Sequence, residues 1–213
     1  MPVPENALPI WTLLYDETVA VHAYWKLFNQ LFGGSQDQLD LLNRSAGFCF
    51  YVIQDALATD IQLTLSKLSD PAESHGKANA TAEHLLNEIR SLRTPASVDG
   101  LHRLLQSFID ACKPIRAARN KMIAHLDRAT ALQTGQVTGV PSTTVAQVHE
   151  ALRALRNFMN AAAEYLGEAP TAYELFITRG EGGDDLVSLL RMAERYQILQ
   201  KEEKIPWDDL PGD

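Results

Sequence analysis

The chain has 213 residues, and 46% of them are hydrophobic, which is enough to form a sizeable core. Its net charge of −8 argues against broad non-specific binding of nucleic acid, although a local basic cleft stays compatible with it. No stretch approaches the roughly 20 apolar residues of a membrane span, and the N-terminal residues lack a basic region followed by an apolar signal core. We therefore expect no contact with membranes and a cytoplasmic location.

Glycine, proline and polar breaks divide the chain into six predicted helical segments. The first ends at Gly33-Gly34, and the second stops at Ser69-Asp70-Pro71, before a polar loop over residues 70–78. The fourth contains Pro114, which predicts a kink. The predicted segments are about 7–32, 37–68, 80–92, 97–129, 142–166 and 184–203.

These segments predict an all-α fold, because no run of alternating β-branched residues supports a sheet. We expect a helical bundle with two long antiparallel helices, about 37–68 and 97–129, packed side by side with short peripheral helices around them. The bundle is predicted to span residues 1–180, with a C-terminal helix and tail, 181–213, packed on the same domain.

Metal and cofactor sites are not predicted. The two cysteines, Cys49 and Cys112, each lie in an apolar helical run and are expected to be buried free thiols. No spacing of cysteine and histidine resembles a zinc site, and no histidine pair has a metalloprotease arrangement.

The fourth predicted helix carries an apolar face that is interrupted by an arginine. Steps of three and four residues place these positions on one side of a helix: Leu101, Leu105, Phe108, Cys112, Ile115, Arg119, Met122 and Leu126. An unpaired buried guanidinium would be costly, so we expect Arg119 to have an acid partner, to face a cleft, or to lie at a subunit interface. Asp60, three residues after Leu57 on the apolar face of the second helix, is a candidate partner. We expect the two to pair, or else each to have another polar partner. Arg116 belongs to a positive flank of the fourth helix and is predicted to support the site, although this flank is also what a solvated helix face would show.

His125 lies on the flank of the same apolar face. It is separated from Arg119 by about 9 Å along the helix axis and about 120° around it, so one helix does not easily direct both side chains to one phosphate. Two antiparallel copies related by a two-fold axis could do so, because each would add its own Arg and His to a shared cleft. The alternative is structural: a buried ion pair and a half-exposed ring.

Arg119-Asn120, four further residues and His125 together resemble the signature of HEPN domains. The run Ile123-Ala124-His125-Leu126-Asp127 resembles the abortive-infection, AbiU-like branch of that superfamily. A second stretch resembles the helix–loop–helix connection of the same branch: Leu65-Ser66-Lys67-Leu68-Ser69-Asp70-Pro71, then Gly76-Lys77-Ala78-Asn79 and Leu85-Leu86.

The resemblance implies a helical bundle that pairs through the helices carrying the motif and, in active members, a metal-independent ribonuclease. Arg119 would hold the scissile phosphate and stabilise its developing charge. His125 would assist proton transfer or orient the attacking 2′-hydroxyl, and Asn120 would hydrogen-bond in the cleft or orient the catalytic pair. No cofactor is implied.

The implied partners are a second copy of the chain, an RNA substrate, and an antitoxin or activating protein. Members that are controlled by a nucleotidyltransferase antitoxin often carry a tyrosine two residues after the histidine. Asp127 stands there in this chain, so control by modification at that position is not expected. The competing hypothesis is a non-catalytic helical dimerisation module that uses the same Arg and His to build its interface.

Overall fold

The computed structural model describes residues 6–74, 76–91, 95–124, 143–175, 182–202 and 204, and for residues 95, 96 and 121–124 it describes the backbone only. It confirms the all-α prediction. The helices are α1 (Ala7–Phe32), α2 (Gln36–Leu68), α3 (Ala82–Ser91), α4 (Asp99–Ala124), α5 (Val145–Leu166) and α6 (Gly183–Lys201). Short 3-10 segments, Pro95–Val98 and Tyr173–Leu175, precede α4 and follow α5. Residues 125–129 of the fourth predicted helix lie outside the described residues.

The predicted polar loop after α2 contains a small hairpin. Its strands, β1 (Glu73–Ser74) and β2 (Lys77–Ala78), are antiparallel, with Glu73 opposite Ala78. Gly76 in the turn has φ of 71°, in the left-handed region that glycine enters without a steric penalty. Strands of two residues are too short to show an alternating pattern, so the sequence predicted only a loop.

One long helix continues through a proline, and another contains a break. Pro114 lies inside α4, yet α4 continues through it as one helix. In α2 the backbone leaves helical geometry at Ala46, where φ is −160° and ψ is 61°. The sequence predicts residues 37–68 as one helix without a break at this position.

Contacts between residues divide the chain into two compact units, each assembled from separate segments. Unit 1 comprises Met1–Ala23 and Thr59–Phe176, and unit 2 comprises Tyr24–Ala58 and Ile177–Asp213. The helices α1 and α2 therefore each contribute residues to both units. The predicted boundary at residues 180 and 181 was drawn along the chain and stays a prediction.

The core of unit 1 is formed mainly by α4 and α5. Their buried positions recur every three or four residues, as on α4 at Leu101, Leu105, Phe108, Cys112 and Ile115. The hydroxyl of Tyr165 near the end of α5 donates to the carbonyl of Ser97 before α4, at 2.7 Å. The two helices are therefore antiparallel. The sequence predicts that the two long helices, α2 and α4, pack side by side, whereas the most extensive contacts of α4 are with α5.

The ends of α5 follow from local chemistry. Thr144 accepts a hydrogen bond from the backbone of Gln147, whose side chain accepts one from the backbone of Thr144, forming a capping box. Gly167 ends the helix with φ of 77°. The predicted start and end of this helix are confirmed to within a few residues.

Unit 2 has its own small apolar core, which joins parts of α1, α2 and α6. Its buried members are Leu31, Leu41, Leu42, Phe50 and Val187. Polar pairs reinforce the same helices: Gln30 Nε2 donates to Asp184 Oδ2 at 3.0 Å, and Arg44 pairs with Glu194 at 2.9 Å.

One face of α2 within unit 2 is exposed and apolar. The exposed fraction is 82% for Phe48, 64% for Tyr51 and 47% for Val52. Cys49 lies beside Phe48 and is exposed, so the expectation of two buried thiols is wrong for Cys49 and confirmed for Cys112. The apolar run around Cys49 reflects this exposed surface instead of a core.

Across the described ranges, every helix is too short or too polar to cross a membrane.

Candidate functional site

The apolar face of α4 includes an arginine that is only partly buried. Cys112 and Ile115 have no exposed surface, whereas 19% of the side chain of Arg119 is exposed. One turn earlier, 29% of the side chain of Arg116 is exposed. Residues three apart are neighbours on a helix surface, so both guanidiniums leave α4 on the same side.

Both guanidiniums contact one carboxylate, that of Asp70. Nη1 of Arg119 lies 3.2 Å from Oδ2, and Nε of Arg116 lies 3.4 Å from Oδ1. Asp60, the candidate partner, is an exposed residue of α2, and Arg119 has Asp70 as its acid partner instead. An acid is among the partners that the apolar face predicts for Arg119, but the sequence pattern around Asp70 predicts only the end of a helix.

Asp70 is held in place by the connection between α2 and α3. Its backbone N–H donates to the carbonyl of Lys67, which closes the end of α2. The side chain of Asn79 donates to the carbonyl of Pro71 at 2.9 Å, and the backbone N–H of Asn79 donates to that of Ala72 at 2.8 Å. Glu83 of α3 accepts from the N–H of Ala72 at 2.7 Å. This polar framework fixes the turn that brings Asp70 to α4.

Each arginine also has a second anchor that does not involve Asp70. Nε and Nη2 of Arg119 donate to the side-chain oxygen of Asn120 at 3.3 and 3.2 Å. Nη1 of Arg116 donates to the carbonyl of Ser69 at 3.3 Å. The structure therefore brings Arg116, Arg119 and Asn120 together around Asp70. His125, the remaining member of the predicted site, lies outside the described residues, as does Asp127.

Cys112 lies directly beneath this cluster. Burial raises the pKa of its thiol to about 12, with hydrogen bonding to Ser69 acting in the opposite direction. The thiol is therefore protonated at neutral pH, and protonated thiols are poor nucleophiles. Its role is packing under the turn that carries Asp70.

The net charge of the cluster around Asp70 favours the binding of an anion. Two guanidiniums share a single carboxylate, so Arg116, Arg119 and Asp70 together carry a net positive charge. One turn earlier on α4, Lys113 is paired with Asp110 at 2.7 Å, which lowers the pKa of Asp110. In the part of the chain that is described, no group of three or more His, Cys, Asp and Glu side chains is placed to hold a metal ion.

A second titratable group of unit 1, a histidine of α1, lies in the core. His22 of α1 is buried, its Nδ1 lies 2.8 Å from the carbonyl of Thr18, and its ring contacts Tyr173. Burial lowers the pKa of His22, so the ring is neutral at pH 7. This environment is typical of a core histidine, and we assign no chemistry to it.

A match to a family of known proteins covers most of the chain. No curated protein and no solved structure matches the chain. A family model described as AbiU2, of the HEPN type, matches residues 5–183, which is most of the chain. The match includes the α2–α3 connection and the Arg119-Asn120 end of α4, and the resemblance seen in the sequence is confirmed. The chain belongs to the AbiU2 family of HEPN-type abortive-infection proteins.

Proposed function

We propose that this chain is a metal-independent endoribonuclease of a phage-defence or toxin–antitoxin-like system that acts in the cytoplasm. The observation that carries the proposal is the position of Arg119. Its guanidinium is partly exposed, and it shares one carboxylate with Arg116. In a chain of net charge −8, this local excess of positive charge suits a phosphodiester.

The proposed reaction is an internal transfer on RNA. The 2′-oxygen attacks the adjacent phosphorus, the bond from phosphorus to the 5′-oxygen breaks, and a 2′,3′-cyclic phosphate forms. The proton of the 2′-hydroxyl leaves, and a proton is delivered to the departing 5′-oxygen. Arg119 stabilises the charge that develops on the phosphate, and His125 is the group proposed to transfer protons. Asn120 holds the guanidinium of Arg119, consistent with the hydrogen bonds between them.

The purified protein is expected to cleave single-stranded RNA in the presence of EDTA. Products with a 2′,3′-cyclic phosphate end, identified by mass spectrometry, would agree with attack by the internal 2′-hydroxyl. A matched strand of 2′-deoxynucleotides should stay intact, since it lacks the nucleophile. Cleavage of the deoxy strand, or cleavage that EDTA abolishes, would contradict the proposed chemistry. An antitoxin or activating protein is part of the proposal as a partner that sets when the site is active.

We also propose a homodimer in which two copies of α4 contribute Arg119 and His125 to a shared cleft. Light scattering at micromolar concentration should give about twice the monomer mass of 23.6 kDa. Phe48→Ala, on the exposed face of α2, should leave this mass unchanged if the interface is formed by α4. A strict monomer would contradict the shared cleft, and a monomer only in Phe48→Ala would place the interface on α2.

A second candidate function is a non-catalytic interaction module. The apolar surface formed by Phe48, Tyr51 and Val52 favours it, because exposed aromatic and aliphatic side chains that lie together are typical of protein–protein contacts. The absence of cleavage on RNA of any sequence or structure, together with a stable dimer, would favour this candidate over the ribonuclease.

A further inference from the structure

We propose that Arg116 binds the substrate phosphate together with Arg119, and that Asp70 is a resident anion which the phosphate displaces. The proposal rests on the ribonuclease function in one respect, since it takes the ligand to be a phosphodiester of a single nucleic-acid strand. The proposal adds Arg116 to the site as a second cationic side chain. It also makes Asp70 a group that competes with the phosphate for the two arginines.

The carboxylate of Asp70 bridges the two guanidiniums in the way that a phosphate could. Asp70 presents one oxygen to each guanidinium, Oδ1 to Arg116 and Oδ2 to Arg119, at 3.4 and 3.2 Å. The two non-bridging oxygens of a phosphodiester have a comparable separation and carry a full negative charge. Arginine is suited to both anions, because its planar fork of N–H groups matches carboxylate and phosphate alike. A phosphate can therefore take the bridging position that Asp70 occupies.

The two arginines do not depend on Asp70 for their placement. Arg119 donates to Asn120, and Arg116 donates to the backbone carbonyl of Ser69. Ser69 is itself fixed, since its hydroxyl donates to the carbonyl of Ser66 and its N–H to that of Leu65. When the carboxylate is displaced, both guanidiniums keep an anchor and remain directed to the same point.

All three charged side chains are accessible to solvent. The exposed fractions of Arg116, Asp70 and Arg119 are 29%, 27% and 19%, so water reaches all three side chains. A carboxylate in such a position regains hydration when it leaves the arginines. The exchange of one anion for another then carries only a small penalty, unlike the removal of a partner from a fully buried pair.

The test measures binding of a fluorescein-labelled single strand of 2′-deoxynucleotides, which cannot be cleaved by attack of a 2′-hydroxyl. Asp70→Asn keeps the size of the side chain and removes its charge. It should tighten binding about fivefold, the factor that corresponds to the loss of one partly exposed ion pair. Binding should also depend more steeply on salt, because phosphate contacts are salt-dependent.

A neighbouring ion pair of α4 supplies matched controls. Asp110→Asn makes the same change in net charge, but Asp110 pairs with Lys113 and not with the two arginines. It should change binding by less than about twofold, the size expected for an exposed surface charge. Arg116→Gln should weaken binding by about fivefold, whereas Lys113→Gln should again have little effect.

The outcomes separate this proposal from the ribonuclease function. Tighter binding by Asp70→Asn than by Asp110→Asn, with weaker binding by Arg116→Gln, supports the proposal even where no RNA is cleaved. Equal binding by the two aspartate variants overturns it, even if the wild-type protein cleaves RNA. Should Asp70→Asn fail to fold, as judged by circular dichroism, the pair Arg116→Gln and Lys113→Gln decides alone, and equal binding by those two overturns the proposal.

Discussion

Arg119→Ala is expected to lower the rate of RNA cleavage by about 10²–10³-fold, the usual loss when one group that stabilises transition-state charge is removed. The structure indicates that this variant can fold. Arg119 is partly exposed, and Asp70 keeps Arg116 as a partner, so no isolated buried charge remains. His125→Ala is expected to lower the rate by about 10²–10⁴-fold, the usual contribution of a general acid or base. Rates are measured under single-turnover conditions with a short labelled RNA in EDTA.

Two exposed residues of α5 provide matched controls for these variants. Arg153 forms an exposed ion pair with Glu150, and His149 is exposed. Arg153→Ala and His149→Ala should retain wild-type rates, because neither residue lies near the Asp70 cluster in sequence or is linked to it by a hydrogen bond. All four variants must keep the helical signal and the mass of the wild type. Undiminished cleavage by folded Arg119→Ala or His125→Ala would show that the activity belongs to another site or to a contaminating nuclease.

The sequence predicts the helices of this chain well, because the residues at the helix ends themselves determine where most of the helices stop. Gly33 and Gly34 end α1, Ser69 to Pro71 end α2, and Gly167 ends α5, each within a few residues of the predicted position. These signals act through backbone conformation alone and need no knowledge of the fold. The two compact units were not predicted, because each is built from distant segments and no composition change marks where α1 or α2 passes from one to the other.

Asp60 was predicted to lie on the inward face of α2, but it is exposed, and this shows a limit of predictions from helical periodicity. Asp60 was reached by a step of three from Leu57, but the buried face continues by steps of four and three, through Ile61, Leu65 and Leu68. Neighbouring residues on a helix point about 100° apart, so Asp60 lies beside the buried face and is exposed. A single choice between a step of three and a step of four therefore determined the error.

Asp70 could not be found by periodicity, because it lies beyond the last residue of α2. Its position depends on the turn after the helix and on contacts of the connection with Asn79 and Glu83. The sequence did contain a signal, since the stretch from Leu65 to Asn79 carries part of the family resemblance. The structure gives that stretch a physical role, which is to carry a carboxylate to the arginines of α4.

The largest effect on stability is expected for Phe158→Ala. Phe158 lies on α5 with no exposed surface, in the core that α5 forms with α4. Replacing a fully buried phenylalanine with alanine removes apolar contact and leaves a cavity, which costs about 3–5 kcal/mol. The loss is a large share of the roughly 5–15 kcal/mol that stabilises a typical domain. Urea unfolding followed by circular dichroism measures it, provided that the slope with denaturant is unchanged.

Phe48→Ala is the matched control, because it makes the same substitution where 82% of the residue is exposed. It should change the free energy of unfolding by no more than about 0.5 kcal/mol, the usual range for surface positions. Equal losses for the two variants would contradict the assignment of Phe158 to the core or of Phe48 to the surface. The comparison also bears on the site, since α4 carries Arg116 and Arg119 and α5 is its main support. A core weakened by Phe158→Ala should therefore lose RNA cleavage at lower temperature than the wild type, whereas Phe48→Ala should follow the wild-type curve.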